Sequence, residues 1–264
     1  MNEDRIGDAA QFLARPRMSG PPTPAAPADL AAATVAEGYA IQRALHEVLE
    51  AAGHGPCSGH KIGCTTPVMQ AYLGIDHPCA GEVFEATVFG SGAEVSLQRF
   101  HMAGVECEIA ARLGADLPGR ARGHGRDSVA DAIESLMAGI ELVDDRYADY
   151  RALPVPLLIA DDFFNAGVVL GTPVTDWRGL DLAAIEGVMT IDGDEAGRGV
   201  GADILGHPLN ALAWLADHRA ALGTPLRAGE FVMLGSVVKT VWIDRPSTVA
   251  VRFEGLGEAS VTLA

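Results

Sequence analysis

At 264 residues, with 48% hydrophobic and 20% charged residues, the chain is long enough for one large domain with an appendage and too apolar to be disordered overall. Its net charge of −16, from 19 basic and 35 acidic residues, excludes a general nucleic-acid binder, which needs a basic face, and leaves room for a carboxylate-rich cation site. The sequence shows no signal peptide and no apolar run long enough for a bilayer, so a cytoplasmic protein is expected, with Cys57, Cys64, Cys79 and Cys107 as free thiols.

In residues 1–20, Ile6, Ala9, Phe12 and Leu13 recur at amphipathic spacing and predict a short helix. The run Pro21-Pro22-Thr23-Pro24-Ala25-Ala26-Pro27 is a linker, since neither helix interior nor central strand tolerates it. Thr34 with Glu37 three residues later forms a capping box, and Val35, Ile41, Leu45, Val48 and Leu49 continue at helical spacing until Gly53. Residues 1–58 thus read as an N-terminal helical segment, ahead of a β-rich domain over 59–264.

Beyond Lys61, short apolar runs separated by Gly and Pro predict strands at 83–88, 105–113, 140–143, 167–170 and 187–191. Asp192-Gly193 reads as a hairpin turn, and Gly197-Arg198-Gly199-Val200-Gly201 as a hairpin arm rather than a dinucleotide loop, for want of a strand-then-helix context. Helices are predicted at 128–137 and at 208–222, the second with Pro in its first turn and Gly223 just past its end. The tail supplies strands at 231–234, 240–243, 249–253 and 259–263. No β-helix-β period repeats, so a mixed α+β fold with a β-rich centre is expected.

The chemistry concentrates in Gly104-Val105-Glu106-Cys107-Glu108-Ile109-Ala110. On a strand, Glu106 and Glu108 share one face and Val105, Cys107 and Ile109 the other. Two such glutamates are either the wet face of a half-buried strand or, if partly buried, a pair that repels until a proton or a metal lies between them. A third carboxylate, Glu141, lies among Ile140, Leu142 and Val143, where burial demands a partner: an arginine, or the same cation. Three Glu oxygens completed by water suit Mg²⁺ or Mn²⁺ and not zinc.

Only two lysines occur, Lys61 and Lys239. Lys61, flanked by glycines in Gly59-His60-Lys61-Ile62-Gly63, is placed either to bind a substrate carboxylate or, with a lowered pKa, to move protons; the alternative is an ordinary surface lysine. Cys57-x-x-His60 has the makings of a soft-metal half-site but lacks the second pair of a structural zinc site. His207, ahead of Pro208, is either a helix cap or a substrate contact. Asp161 and Asp162 follow Leu157-Leu158-Ile159-Ala160 at a strand or turn end, where active-site polar groups often sit. No GxSxG elbow or Ser/His/Asp order stands out.

Together these pieces resemble the 2-keto-4-pentenoate hydratases of the fumarylacetoacetate hydrolase superfamily. The matching residues are Gly38-Tyr39-Ala40-Ile41-Gln42, Gly59-His60-Lys61-Ile62-Gly63, Leu73-Gly74-Ile75, Gly81-Glu82-Val83-Phe84, Glu106-Cys107-Glu108-Ile109-Ala110, Ile140-Glu141-Leu142-Val143-Asp144, Gly206-His207-Pro208-Leu209-Asn210-Ala211-Leu212-Ala213-Trp214-Leu215 and Gly255-Leu256-Gly257. The resemblance implies a fumarylacetoacetate hydrolase-like fold, Mg²⁺ or Mn²⁺ on Glu106, Glu108 and Glu141, and Lys61 in the active site. It also implies a homo-oligomer, with a related pathway enzyme as a further partner. The implied reaction is hydration of a 2-hydroxy-2,4-dienoate to a 4-hydroxy-2-oxo acid, in aromatic-compound catabolism. Lys61 would move protons or hold the carboxylate, supported by Asp161 and Asp162, with Phe163, Phe164, His207 and Ser236 lining the substrate. The rival readings are a decarboxylase or C–C hydrolase of a related 2-oxo acid, and a non-catalytic partner subunit. Two departures bear on substrate choice: Cys79 follows Pro78 where the family carries an acid, and Asp161-Asp162-Phe163-Phe164 replaces Asp-Asn followed by small residues.

Overall fold

A computed structural model describes residues 1–18, 30–150 and 153–264. The proline-rich linker of residues 21–27 lies outside the described residues. Helix α1 (Glu3–Arg17) packs on α2 (Val35–Leu49), and α2 packs in turn on α5 (Val155–Ala160). Thr34 caps α2 as its sequence predicts: its hydroxyl accepts from the Glu37 N–H at 3.2 Å, while the Glu37 carboxylate accepts from the Ala33 N–H. The apolar stripe of α2 (Ile41, Leu45, Leu49) meets Ala10, Leu13 and Leu157 in a core of its own.

The rest is two sheets. The first runs in the order β2 (Cys79–Phe84), β1 (Cys57–Gly63), β10 (Phe231–Ser236), β5 (Ala103–Leu113), β6 (Ile133–Asp144), β7 (Asn165–Leu170), β3 (Val88–Gly90), with β11 (Val241–Ile243) also pairing β5. The second runs β4 (Ala93–Val95), β13 (Gly257–Leu263), β12 (Ser247–Phe253), β8 (Glu186–Ile191), β9 (Asp194–Val200). β12 and β13 lie against β6, and Val249, Val251, Val261 and Leu263 fill the space between with Ile109, Leu136 and Ile140. Asp192-Gly193 turns the β8–β9 hairpin with φ of +53° and +90°, as the sequence predicts. Short α3 (Pro67–Leu73) follows β1, and α6 (Pro208–Ala221) begins at its proline and is followed by Gly223 at φ +79°.

Two predicted elements are corrected. The helix expected over 128–137 is only α4 (Arg126–Ala130), and from Ile133 the chain is strand. β6 runs between β5 and β7 with both faces covered, so apolar residues stand on both faces and the alternation that marks a strand is lost. The strand expected over 83–88 is broken by a 3₁₀ turn at Glu85–Thr87, pinned by the Thr87 hydroxyl on the Phe84 carbonyl. There the chain changes partners, from β1 before the turn to β7 after it.

Candidate active site

The glutamate trio is assembled by strand register. Glu106 on β5 stands directly opposite Glu141 on β6, and Glu108 follows two residues on along the same face. On the other side of β5, the Gly235 N–H of β10 donates to Glu108 Oε2 at 2.9 Å. Gly235 has φ +118°, and a Cβ there would lie 2.5 Å from Thr65 Oγ1, so this close approach needs glycine. The Thr240 hydroxyl donates to Glu106 Oε1. Carboxylate oxygens of the three glutamates come within 4.8 Å of one another, and none of the three residues is exposed.

That arrangement is electrostatically incomplete. Glu108 Oε1 and Glu141 Oε2 are buried without a hydrogen-bond partner among the described residues. Burial, then Glu141 and Glu106, push the Glu108 carboxyl well above the usual range. Burial lifts Glu141 to about 7 despite the opposing pull of Lys61. An all-oxygen donor set with orphaned, mutually repelling carboxylates fits a hard divalent cation.

Lys61 completes the cluster. Its Nζ lies 3.1 Å from Glu141 Oε1 and donates to the Phe163 carbonyl at 3.4 Å. Glu141 therefore pairs with a lysine, not with an arginine, and the Asn165 amide also donates to it at 3.0 Å. Of the readings open for Lys61, a lowered pKa is not the one its surroundings favour: burial works against the charge, but Glu141, Glu106 and Glu108 outweigh it and hold the ammonium above its ordinary value. Lys61 is a buried, fixed cation.

Asp161 and Asp162 are committed elsewhere. Asp161 accepts from Arg17 Nε at 3.0 Å and Arg146 Nη2 at 3.1 Å. Asp162 accepts from Arg17 Nη2 at 3.0 Å, His46 Nε2 at 2.9 Å and the Glu82 N–H at 3.2 Å. Burial opposes the Asp162 charge, but His46 and Arg17 prevail and lower its pKa; burial opposes the His46 charge too, but Asp162 and Glu82 raise it to about 9. This network clamps Asp162, Phe163 and Phe164 at φ of +51°, +46° and +68°, a run of left-handed residues without glycine that costs on the order of 1 kcal/mol or more each. The clamp aims the Phe163 carbonyl at Lys61 and sets its ring beside Gly63.

Of the remaining candidates, Phe164 turns away, edge-on to Tyr147 and Tyr150. His207 caps α6 through its Nδ1, which accepts from the Leu209 N–H at 3.1 Å. Ser236 accepts from the Cys107 N–H and donates to backbone carbonyls, fastening β10 to β5 beside Glu108. Cys79 is buried beside Cys64, and their contact and burial hold its thiol protonated. The sequence reading missed Arg17, His46, Arg146, Asn165 and Thr240. Asn165 and Thr240 lie 24 and 134 residues from the glutamates they touch, a separation no local pattern records.

Fold and site together define a class. The family model for the fumarylacetoacetate (FAA) hydrolase C-terminal region matches residues 76–264, and the chain belongs to that family as a 2-keto-4-pentenoate hydratase-like member. It is 37% identical over 224 residues to a 2-keto-4-pentenoate hydratase of Burkholderia vietnamiensis, covering 85% of this chain and 84% of the relative. It is 34% identical over 234 residues to a 2-hydroxyhexa-2,4-dienoate hydratase of Comamonas testosteroni, covering 86% of each. The fold is shared with a 4-oxalocrotonate decarboxylase of Pseudomonas putida G7, complexed with magnesium and adipate, at a TM-score of 0.93 and 24% identity over 100% of this chain and 99% of that one.

Proposed function

We propose that the protein is a hydro-lyase that adds water to a 2-hydroxy-2,4-dienoate to give a 4-hydroxy-2-oxo acid, and that Glu106, Glu108 and Glu141 hold Mg²⁺ or Mn²⁺. The relatives at 34–37% identity, hydratases by name, support the reaction class. The observation that carries the site is the buried trio with two orphaned carboxylate oxygens and Lys61 against it. When bound, a divalent cation there supplies Lewis-acid polarisation of a 2-oxygen and positive charge beside the substrate carboxylate.

The chain's own residues supply the rest. Lys61, kept protonated by its carboxylate neighbours, holds the substrate carboxylate or delivers a proton; it is not a base at neutral pH. The first step is ketonisation: the 2-hydroxyl loses its proton and the far carbon of the diene gains one. Water then adds across the remaining double bond, its OH to carbon 4 and its hydrogen to carbon 3. Asp161 and Asp162 serve as positioning residues, since their oxygens are engaged by Arg17, Arg146 and His46 while the turn they hold presents the Phe163 carbonyl to Lys61. Phe163 walls the substrate side of Lys61. Cys79 puts a neutral thiol where the family carries an acid.

The test is metal-dependent turnover of a 2-hydroxy-2,4-dienoate by the purified chain alone. Chelation and the Glu106→Gln substitution are each expected to abolish it. Full activity in that variant, unaffected by chelator, rejects the assignment.

A further inference from the structure

A second group of ligands lies on the opposite face of β1 from Lys61. His60 and Lys61 are consecutive on this strand, so their side chains point to opposite faces. His60 stands across from Glu82 in the β1–β2 register, and Cys57 lies three residues upstream, beyond a register shift between Cys57 and Gly59 that interrupts the alternation. One donor atom from each of Cys57, His60 and Glu82 falls within 4.8 Å of the others.

The histidine is the telling member. His60 is only 2% exposed, and its Nε2 lies 3.2 Å from Glu230 Oε2. Glu230 also accepts from the Arg227 N–H, and hydrogen bonding from His60 outweighs burial to keep it ionised. An ionised carboxylate only accepts, so Nε2 is the donor of this pair. The ring's Nδ1 is buried and has no hydrogen-bond partner among the described residues. A histidine that donates one ring N–H to a carboxylate while its other nitrogen is free is the arrangement that orients a metal ligand. Cys57 Sγ donates to the Gly59 carbonyl at 3.3 Å. Glu82 is held by Arg219 at 2.6 Å and by His46 at 3.1 Å, which keep it ionised.

We propose that Cys57, His60 and Glu82 form a second, thiophilic metal site that takes Zn²⁺, with water as the fourth ligand and Glu230 as the carboxylate that orients His60. Thiolate, imidazole and carboxylate in one tetrahedral set select zinc over the hard cation suited to the glutamate trio. Binding releases the Cys57 thiol proton to solvent. The proposal does not depend on the reaction assigned to Lys61 and the trio.

The full chain, stripped with chelator and then saturated with Mg²⁺, is titrated with Co²⁺ as a spectroscopic substitute. One equivalent is expected to raise a thiolate-to-cobalt charge-transfer band in the near ultraviolet. The band should be lost in Cys57→Ser, which retains a hydroxyl for the Gly59 carbonyl, and kept in Glu106→Gln. Zn²⁺ should displace the cobalt, and Glu230→Gln should weaken Zn²⁺ binding about 10- to 100-fold. Absence of the band, or its survival in Cys57→Ser, overturns the site. Should that variant fail to fold, the wild type decides: Zn²⁺ is expected to abolish iodoacetamide labelling of Cys57, and undiminished labelling overturns the site.

Discussion

Lys61 Nζ lies 3.1 Å from Glu141 Oε1, with both side chains buried. The lysine is thus the protein's own counter-charge to a cluster of three carboxylates, and the cluster holds that lysine protonated. Each explains the other: without the ammonium the glutamates repel, and without them burial would strip the ammonium of its proton.

Removing the cation should therefore be felt twice. Lys61→Met is expected to abolish turnover and to destabilise the metal-free protein by about 3–5 kcal/mol, the range for breaking a buried pair. Added Mg²⁺ should restore part of the stability and none of the activity. Urea unfolding with and without metal, beside steady-state assays, checks both.

The stripped protein should also lose stability as pH rises. Glu141 sits at about 7 against an ordinary 4.5. A raised carboxyl favours the folded state fully below the unfolded value, and that contribution is lost as pH climbs through the folded one. The difference in unfolding free energy between wild type and Glu141→Gln is expected to shift against the wild type from pH 4.5 to 7, and saturating Mg²⁺ should reverse that shift. Chemical denaturation across this range measures it.

Gly81→Ala probes how closely the clamp and the lysine are packed. A Cβ there would lie 2.9 Å from Asp162 Cβ and 3.1 Å from Lys61 Cγ. The variant is expected to lose about 1–3 kcal/mol and a larger share of kcat than of metal affinity, because the Lys61 stem must move while the trio stays. Thermal unfolding, calorimetric Mg²⁺ titration and kinetics separate the effects.

Arg17 ties the N-terminal helix to the Asp161–Phe164 turn. It bonds Asp161 and Asp162 at 3.0 Å each, and burial opposes its charge less than the two aspartates favour it. Arg17→Met is expected to lower kcat and cost about 3 kcal/mol while leaving Mg²⁺ affinity unchanged, since no glutamate of the trio touches it. Equal losses of kcat and metal affinity would contradict a purely positioning role.

How far the sequence was legible depended on the range over which each signal acts. The Glu106/Glu108 alternation and the buried setting of Glu141 were visible because one strand period and one apolar run carry them. The β8–β9 turn, the α2 cap and the proline start of α6 were equally local. Asp161 and Asp162 read as acid–base candidates because their partners Arg17 and His46 lie more than 100 residues away in sequence. Residues 133–137 of β6 read as helix because a strand covered on both faces loses its period of two. Cys57-x-x-His60 looked incomplete because Glu82 and Glu230 reach it only through strand pairing and a distant turn.

The most direct measurement of the central claim is product analysis by proton NMR of a 2-hydroxy-2,4-dienoate incubated with the Mg²⁺-loaded protein. A 4-hydroxy-2-oxo acid, with no CO₂ released and no carbon–carbon bond cleaved, is the expected result. Release of CO₂, cleavage into two fragments, or an unchanged dienoate would contradict it.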